Sequence, residues 1–350
     1  MKSLLVQSYH PTSEEFAWTF GGVPAVRKVS PGSVLELWTE DAFGGKVRTP
    51  RDLVSKVIEF PFVNPQTGPF WVDGAEPGDT LALHFVRIEP SREWAASTTI
   101  PLFGSLTSTA RTATLQDPLP EIVWIYAVDQ GSRTVTFQAK SGDYSVALPL
   151  DPMLGTVGVA PGALEVRSSL VPDSHGGNLD TPEMRSGVTC YLGVNVAGAL
   201  FSIGDGHCRQ GEGETCGVAI EAAMDVVVVV DLIKSRTTAW PRLESNEFIM
   251  VAGSSRPLED AFRVSQADLV RWVSEEYGLT IMDAYQLVTQ VCETPVANVV
   301  DPNYTIVSKV RKCYLPARSV YGGMHDRLRE VGDAYADQNP EHCFGTRRNG

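Results

Sequence analysis

Residues 226–230 are five valines in a row. Branching at Cβ suits valine to an extended backbone and crowds it in a helix. The run is far too short to cross a bilayer as a helix, so it reads as a buried strand. The whole stretch 217–230 is expected to be one strand. Other runs alternate apolar and polar residues: Val34-Leu-Glu-Leu-Trp-Thr39, Thr80-Leu-Ala-Leu-His-Phe-Val-Arg-Ile88, Ile122-Val-Trp-Ile-Tyr-Ala-Val128, Thr134-Val-Thr-Phe137, Tyr144-Ser-Val-Ala-Leu-Pro-Leu150 and Gly187-Val-Thr-Cys-Tyr-Leu-Gly-Val-Asn-Val196. Clusters of Pro, Gly, Asn and Asp separate them. That pattern predicts a mainly β chain built as a sandwich or barrel framework.

Beyond residue 245 the pattern changes. Phe248-Ile-Met-Val-Ala-Gly253 reads as a short strand. A helix is expected from Ser265 as cap, with Asp268 three residues on, to Gly278 as stop. Leu269, Trp272, Val273 and Glu276 set its period. A second helix follows from Thr280, with Ala284, Leu287, Val288 and Val291 as its buried stripe. Strands return near 297–300 and 304–310. The expected organisation is a β-rich domain over 1–245, a small α+β subdomain over 246–310, and a C-terminal return and tail over 311–350. The tail after about Asp337 is polar and expected to be loosely attached.

Composition narrows the function classes. There are 29 Lys and Arg against 42 Asp and Glu, a formal charge of −13. An acidic surface repels nucleic acid and anionic membranes, so neither is an expected partner. Six cysteines (190, 208, 216, 292, 313 and 343) show no CxxC spacing. Together with a short apolar start, Met1-Lys-Ser-Leu-Leu-Val6, they suggest reduced thiols and a cytoplasmic protein.

Three segments carry chemistry. Asp205-Gly-His207, two residues apart on a strand, would share a face and suits Zn²⁺ or a similar divalent ion. Glu212, Glu214 and Glu221 follow closely, amid glycines. Glu221 sits among apolar residues and needs a partner there, an ion or an arginine. His175, Asn178 and Asp180 lie in the loop Ser174-His-Gly-Gly-Asn-Leu-Asp180, either a binding loop or a plain turn. Gly176 and Gly177 can turn N–H groups toward a developing oxyanion. Glu40 and Asp41 enter a Gly-Gly turn, and Asp41 is a further candidate metal ligand or general base, or part of a solvated turn. Phe70 and Trp71 read as core. His10, His325 and His342 read as surface residues. No G-x-S-x-G elbow, P-loop or dinucleotide fingerprint is present.

The stretch from Gly204 to Glu221 resembles the signature of the acetamidase/formamidase family. So do His175-Gly-Gly-Asn-Leu-Asp180, Asn64-Pro-Gln-Thr-Gly-Pro69, Val72-Asp-Gly-Ala-Glu-Pro-Gly-Asp79, Gly155-Thr-Val-Gly-Val-Ala-Pro161 and Asp283-Ala-Tyr-Gln-Leu-Val288, in the family's order. Two departures stand out: Glu212 where the pattern has Asp, and Thr215-Cys-Gly-Val218 where it has Val-Cys-Gly-Thr. The resemblance implies a β-rich hydrolase of small linear amides that releases ammonia. A related branch opens γ-lactams, and a non-catalytic small-molecule-binding protein is the remaining alternative. On this reading Asp41, His175, Asp205, His207 and Glu221 supply the metal ligands and the general base between them. Glu221 is the first candidate for the base. Asn178, Asp180 and the amides of Gly176 and Gly177 are expected to hold the substrate. The metal is expected to be divalent, with zinc first, the partner a small amide or lactam, and the assembly a homo-oligomer. A thiol mechanism through Cys208 is the rival chemistry.

Overall fold

The computed structural model describes residues 4–107 and 118–340. The largest sheet has nine strands. In spatial order they are Val6–Tyr9, Ser33–Thr39, Met224–Ile233, Thr80–Pro90, Thr189–Gly193, Arg242–Glu244, Phe248–Ser255, Tyr304–Arg311 and Val296–Asn298. The valine run lies in Met224–Ile233, antiparallel to Ser33–Thr39 on one side and Thr80–Pro90 on the other. Successive side chains on a strand point to opposite faces. Accordingly Val226, Val228 and Val230 join a core with Phe70, Phe201 and Ile203. Val227 and Val229 join a second core with Leu269, Trp272, Leu328 and Tyr335. The five valines are therefore covered twice, by sheet on one face and by helices on the other.

The covering sheet has five strands: Gly176–Asn178, Met153–Gly158, Ala199–His207, Gln66–Val72 and Arg27–Val29. A four-stranded sheet (Ser145–Pro149, Thr134–Gln138, Ile122–Asp129, Trp94–Thr99) adds Tyr126 and Val135 to the first core. Among the described residues none of the three sheets closes on itself in its strand order, so the framework is an open sandwich and not a closed barrel. Among the described residues no helix is long and apolar enough to cross a membrane.

Several local expectations need correction. Only Met224–Ile233 of the 217–230 stretch is a strand, because residues 217–223 bend around the site described below. The first long helix starts seven residues early, at Leu258, behind Pro257. Ser265 is no cap: it is buried, and its hydroxyl donates to the Phe262 carbonyl and meets Ser308. Asp268, three residues on, clamps Arg242 at 2.8 and 2.9 Å. Gly278 does end that helix in the left-handed conformation, and Thr280 caps the next by accepting from the Asp283 amide. His325 is buried, its ring bonded to Thr189 and Asn246. The boundary at 245/246 falls between two strands, Arg242–Glu244 and Phe248–Ser255, that pair with each other. The helix Met324–Gln338 runs through Asp337, while tail residues 341–350, with His342 and Cys343, lie outside the described residues.

Candidate active site

The strand Ala199–His207 crosses the covering sheet and ends at a buried imidazole. Asp205 interrupts its pleat with φ 58°, in the left-handed region, which swings the carboxylate back beside His207. The Asp205 Oδ1 to His207 Nε2 distance is 3.4 Å. Glu221 Oε2 lies 3.1 Å from the same nitrogen, off the line of a hydrogen bond, and Asp180 Oδ1 lies 4.0 Å away. Two sets of ligand atoms each lie within 4.8 Å of one another: Asp180, Asp205 and His207, and His207, Glu214 and Glu221. Asp301 adds a fifth carboxylate to the same cavity.

Backbone contacts hold these groups in place. Glu221 exchanges hydrogen bonds with Ala96 at 2.8 and 3.0 Å, and its Oε1 accepts from the Ala219 amide at 2.9 Å. Asp180 hangs from the Gly155 carbonyl, and a Cβ on Gly155 would lie 2.5 Å from Asp205 Oδ2 and collide with Asp180 Oδ1. Only glycine lets the two carboxylates close over that strand. Asn64 Nδ2 donates at 2.9 Å to both Asp205 Oδ2 and Asn178 Oδ1. Asn178 Nδ2 donates to Asp180 Oδ2 at 2.6 Å and to Asp301 Oδ2 at 3.1 Å. Thr156 donates to Asn178 Oδ1 as well.

Charge is the unusual property of this site. Among the described residues no lysine or arginine side chain pairs with any of the five carboxylates. Burial and then Asp205 push Asp180 up to about 6. Burial pushes Glu221 up to about 8, with Asp205 adding to it against the pull of His207. Glu214 and Asp301 rise well above the carboxylate range, first by burial and then through Asp180. For His207 burial opposes the proton, but Glu221 and Asp205 outweigh it and raise the imidazole well above its usual range. Asp180 Oδ1 and Glu221 Oε2 are buried with no hydrogen-bond partner. Uncompensated buried oxygens are costly, and a divalent cation compensates them directly.

Gln210 determines which nitrogen faces the carboxylates. Its amide nitrogen donates to the Asp180 carbonyl at 2.6 Å and the Ala297 carbonyl at 3.1 Å. Two carbonyl acceptors fix the amide's orientation, so its Oε1 faces His207 Nδ1, at 3.0 Å. Nδ1 must then carry the hydrogen, and in the neutral ring the Nε2 lone pair points among the carboxylates. One imidazole nitrogen with several carboxylate oxygens fits zinc or a similar divalent ion.

The cavity above this floor is small, about 60 Å³, and its upper wall is apolar: Phe43, Ile100, Phe103, Leu170 and Val218. A far larger groove of about 790 Å³ runs between the helices Leu258–Tyr277 and Ile281–Val291, but it holds no carboxylate or histidine. The chemistry lies in the small cavity.

Asp180, Asp205, His207, Glu221 and Asn178 thus come together. Asp41 stands apart: Arg92 grips it at 2.9 Å and Glu40 at 2.7 Å, and the Phe43 and Gly45 amides occupy the other Asp41 oxygen. Burial and Glu40 push Asp41 up to about 7. His175 lies against Phe20, ring centroids 5.2 Å apart, and lines a different depression with Arg167 and Asn195. The Gly176 amide already donates to Asp173, and Gly177 pairs with Val157 in the sheet, so neither presents a free N–H to the cluster. Cys208 is buried with its thiol pushed up to about 12, chiefly by burial, which removes the reactive thiolate. Sequence reasoning left Glu214, Asp301, Asn64, Thr156 and Gln210 without roles. Glu214 and Gln210 lie inside the quoted signature and Asn64 opens another block, whereas Asp301 carried no local signal.

Comparison with known proteins places this architecture. The Acetamidase/Formamidase family matches residues 18–169 and 159–310. An acetamidase structure from Yersinia enterocolitica is similar at 38% identity, with 89% of this chain and 93% of that one covered and a TM-score of 0.83. An acetamidase from Bacillus halodurans is similar at 26% identity, with 89% and 98% covered and a TM-score of 0.77. A formamidase from Methylophilus methylotrophus is 26% identical over 261 residues, 61% of this chain and 62% of its own length. The chain spans 62% of the length of the curated relatives it matches.

Proposed function

Because this chain belongs to the acetamidase/formamidase family, we propose that it hydrolyses the C–N bond of small amides to a carboxylate and ammonia. The observation that carries the reading is His207 Nε2, turned among buried carboxylates that no arginine or lysine neutralises among the described residues. His207, Asp205 and Asp180, with Glu214 in reach, would hold one divalent ion, zinc being our first choice. Such an ion, when bound, supplies Lewis acidity at the amide oxygen and acidifies water.

The chain's own residues do the rest. A carboxylate beside the reacting atoms can take a proton from the attacking water and return it to the departing nitrogen, and we assign that role to Glu221, which lines the cavity next to His207. Asn64 and Asn178 spend their amide hydrogens on Asp205, Asp180 and Asp301, so we assign them to positioning the carboxylates. The apolar wall keeps bulk water from the floor and leaves room for only a small substrate.

The test is ammonia release from formamide and acetamide, before and after chelation and with Zn²⁺ restored. Turnover that disappears on chelation and returns with the ion supports the full reading. Turnover indifferent to chelation removes the metal and keeps the amidase. If Glu221→Gln and His207→Ala both keep near-wild-type rates, the site is misplaced.

A further inference from the structure

We propose that Phe103 sets the upper limit on the acyl chain this site accepts, an inference that rests on the amidase reading above. The backbone that carries the ring is fastened at several points. Ser105 donates through both its amide and its hydroxyl to the Thr215 carbonyl at 2.9 Å. Gly104, at φ 104°, comes so close to Cys216 that a Cβ there would lie 2.7 Å from the Cys216 oxygen. Gly217, at φ 88°, lies under the Phe103 ring, where a Cβ would overlap the ring carbons. Thr107 then closes the turn by donating to the Phe103 carbonyl at 2.6 Å. Segment 103–105 is thus fastened onto segment 215–217.

That platform lies on the stretch between Glu214 and Glu221, two of the cavity's carboxylates. The wall and the floor are therefore one unit, and the ring cannot withdraw without disturbing the turn that carries them. Phe103 faces the cavity beside Phe43, Ile100, Leu170 and Val218. Val218 gives this wall no side-chain hydroxyl at that point. The polar end of an amide must face the carboxylates, and its acyl end must face the ring. A volume of about 60 Å³ is roughly the share of two waters, at ~30 Å³ each. An ion and a carboxamide fill that space, so each further methylene presses on the wall. Longer chains meet the ring, and anionic acyl groups meet the carboxylates.

Phe103 is only partly buried, so trimming it opens the cavity toward solvent without hollowing the core. The experiment measures kcat/KM of the Zn²⁺-loaded full chain on formamide, acetamide, propionamide and butyramide. Wild type should lose about tenfold or more per methylene once the chain meets the wall. Phe103→Ala should raise the butyramide-to-acetamide ratio at least about tenfold. Phe103→Trp, which narrows the site, should lower acetamide relative to formamide. Wild-type turnover with the same chain-length profile in both variants would overturn the role of Phe103 alone. No turnover of any of the four amides by wild type would overturn the amidase reading and this inference with it.

Discussion

Replacing Gln210 by leucine tests the architecture of the site without touching a metal ligand. The wild-type amide makes three buried hydrogen bonds, to the Asp180 and Ala297 carbonyls and from His207 Nδ1. Leucine satisfies none of them. Each orphaned buried group costs about 1–3 kcal/mol, so the fold should lose roughly 3–9 kcal/mol if the three losses add and less if water enters. The second consequence is specific. Without an acceptor at Nδ1 the imidazole is free to rotate and to move its hydrogen to Nε2, where no ion can bind. Losing such an outer partner lowers metal affinity about 10–100-fold, which is ~1.4–2.7 kcal/mol. The assay is competition for Zn²⁺ against a chromophoric chelator, with a thermal melt of the same sample to confirm folding. Gln210→Glu is the control, because it retains an acceptor at Nδ1 while losing both donations. It should recover metal affinity better than stability. A folded Gln210→Leu protein that binds Zn²⁺ within about twofold of wild type would refute the reasoning.

Two other outcomes follow from the same geometry. Asp41→Asn should leave Zn²⁺ affinity within about twofold, since Arg92 and two amides already occupy that carboxylate; His207→Ala should abolish tight binding, and both are read by the same chelator competition. The pH dependence of the metal-free fold has a definite sign. Asp180 and Glu221 are raised to about 6 and about 8, so the folded state holds more protons than the unfolded chain above the ordinary carboxylate range. Stability should then be fully present below the unfolded carboxylate values and fall as pH rises toward 8. Calorimetry of metal-free protein should show that fall, and Zn²⁺ should flatten it. A metal-free melting temperature that rises between pH 5 and 8 would contradict the burial of these acids.

Wherever local pattern suffices, the fold was legible. The valine run, the alternating strands, the Gly278 stop and the Thr280 cap depend on neighbours one to four residues away, and each forms, although the strand carrying the valines begins at Met224 and not at Gly217. The helix start at Ser265 failed because its hydroxyl and Asp268 are claimed by Ser308 and Arg242, partners distant in sequence.

The site divides along the same line. Asp205 and His207 declared themselves by spacing, and Glu221 by a charge among apolar residues. Local sequence alone therefore marked residues that the fold brings together in a buried cluster of carboxylates around an imidazole. It could not separate Asp41 and His175 from that cluster, because both sit in loops with the same composition as the true lining. Arg92 and Phe20, reached only through the fold, take them away. Nor could it supply Asp301, or the Gln210 contacts that aim the imidazole, since these depend on chain segments 30 to 123 residues apart being brought together. Ligand type is a property of a side chain and can be read in one dimension. Convergence, burial and the absence of a neutralising cation are properties of a volume, and only the tertiary structure decides them.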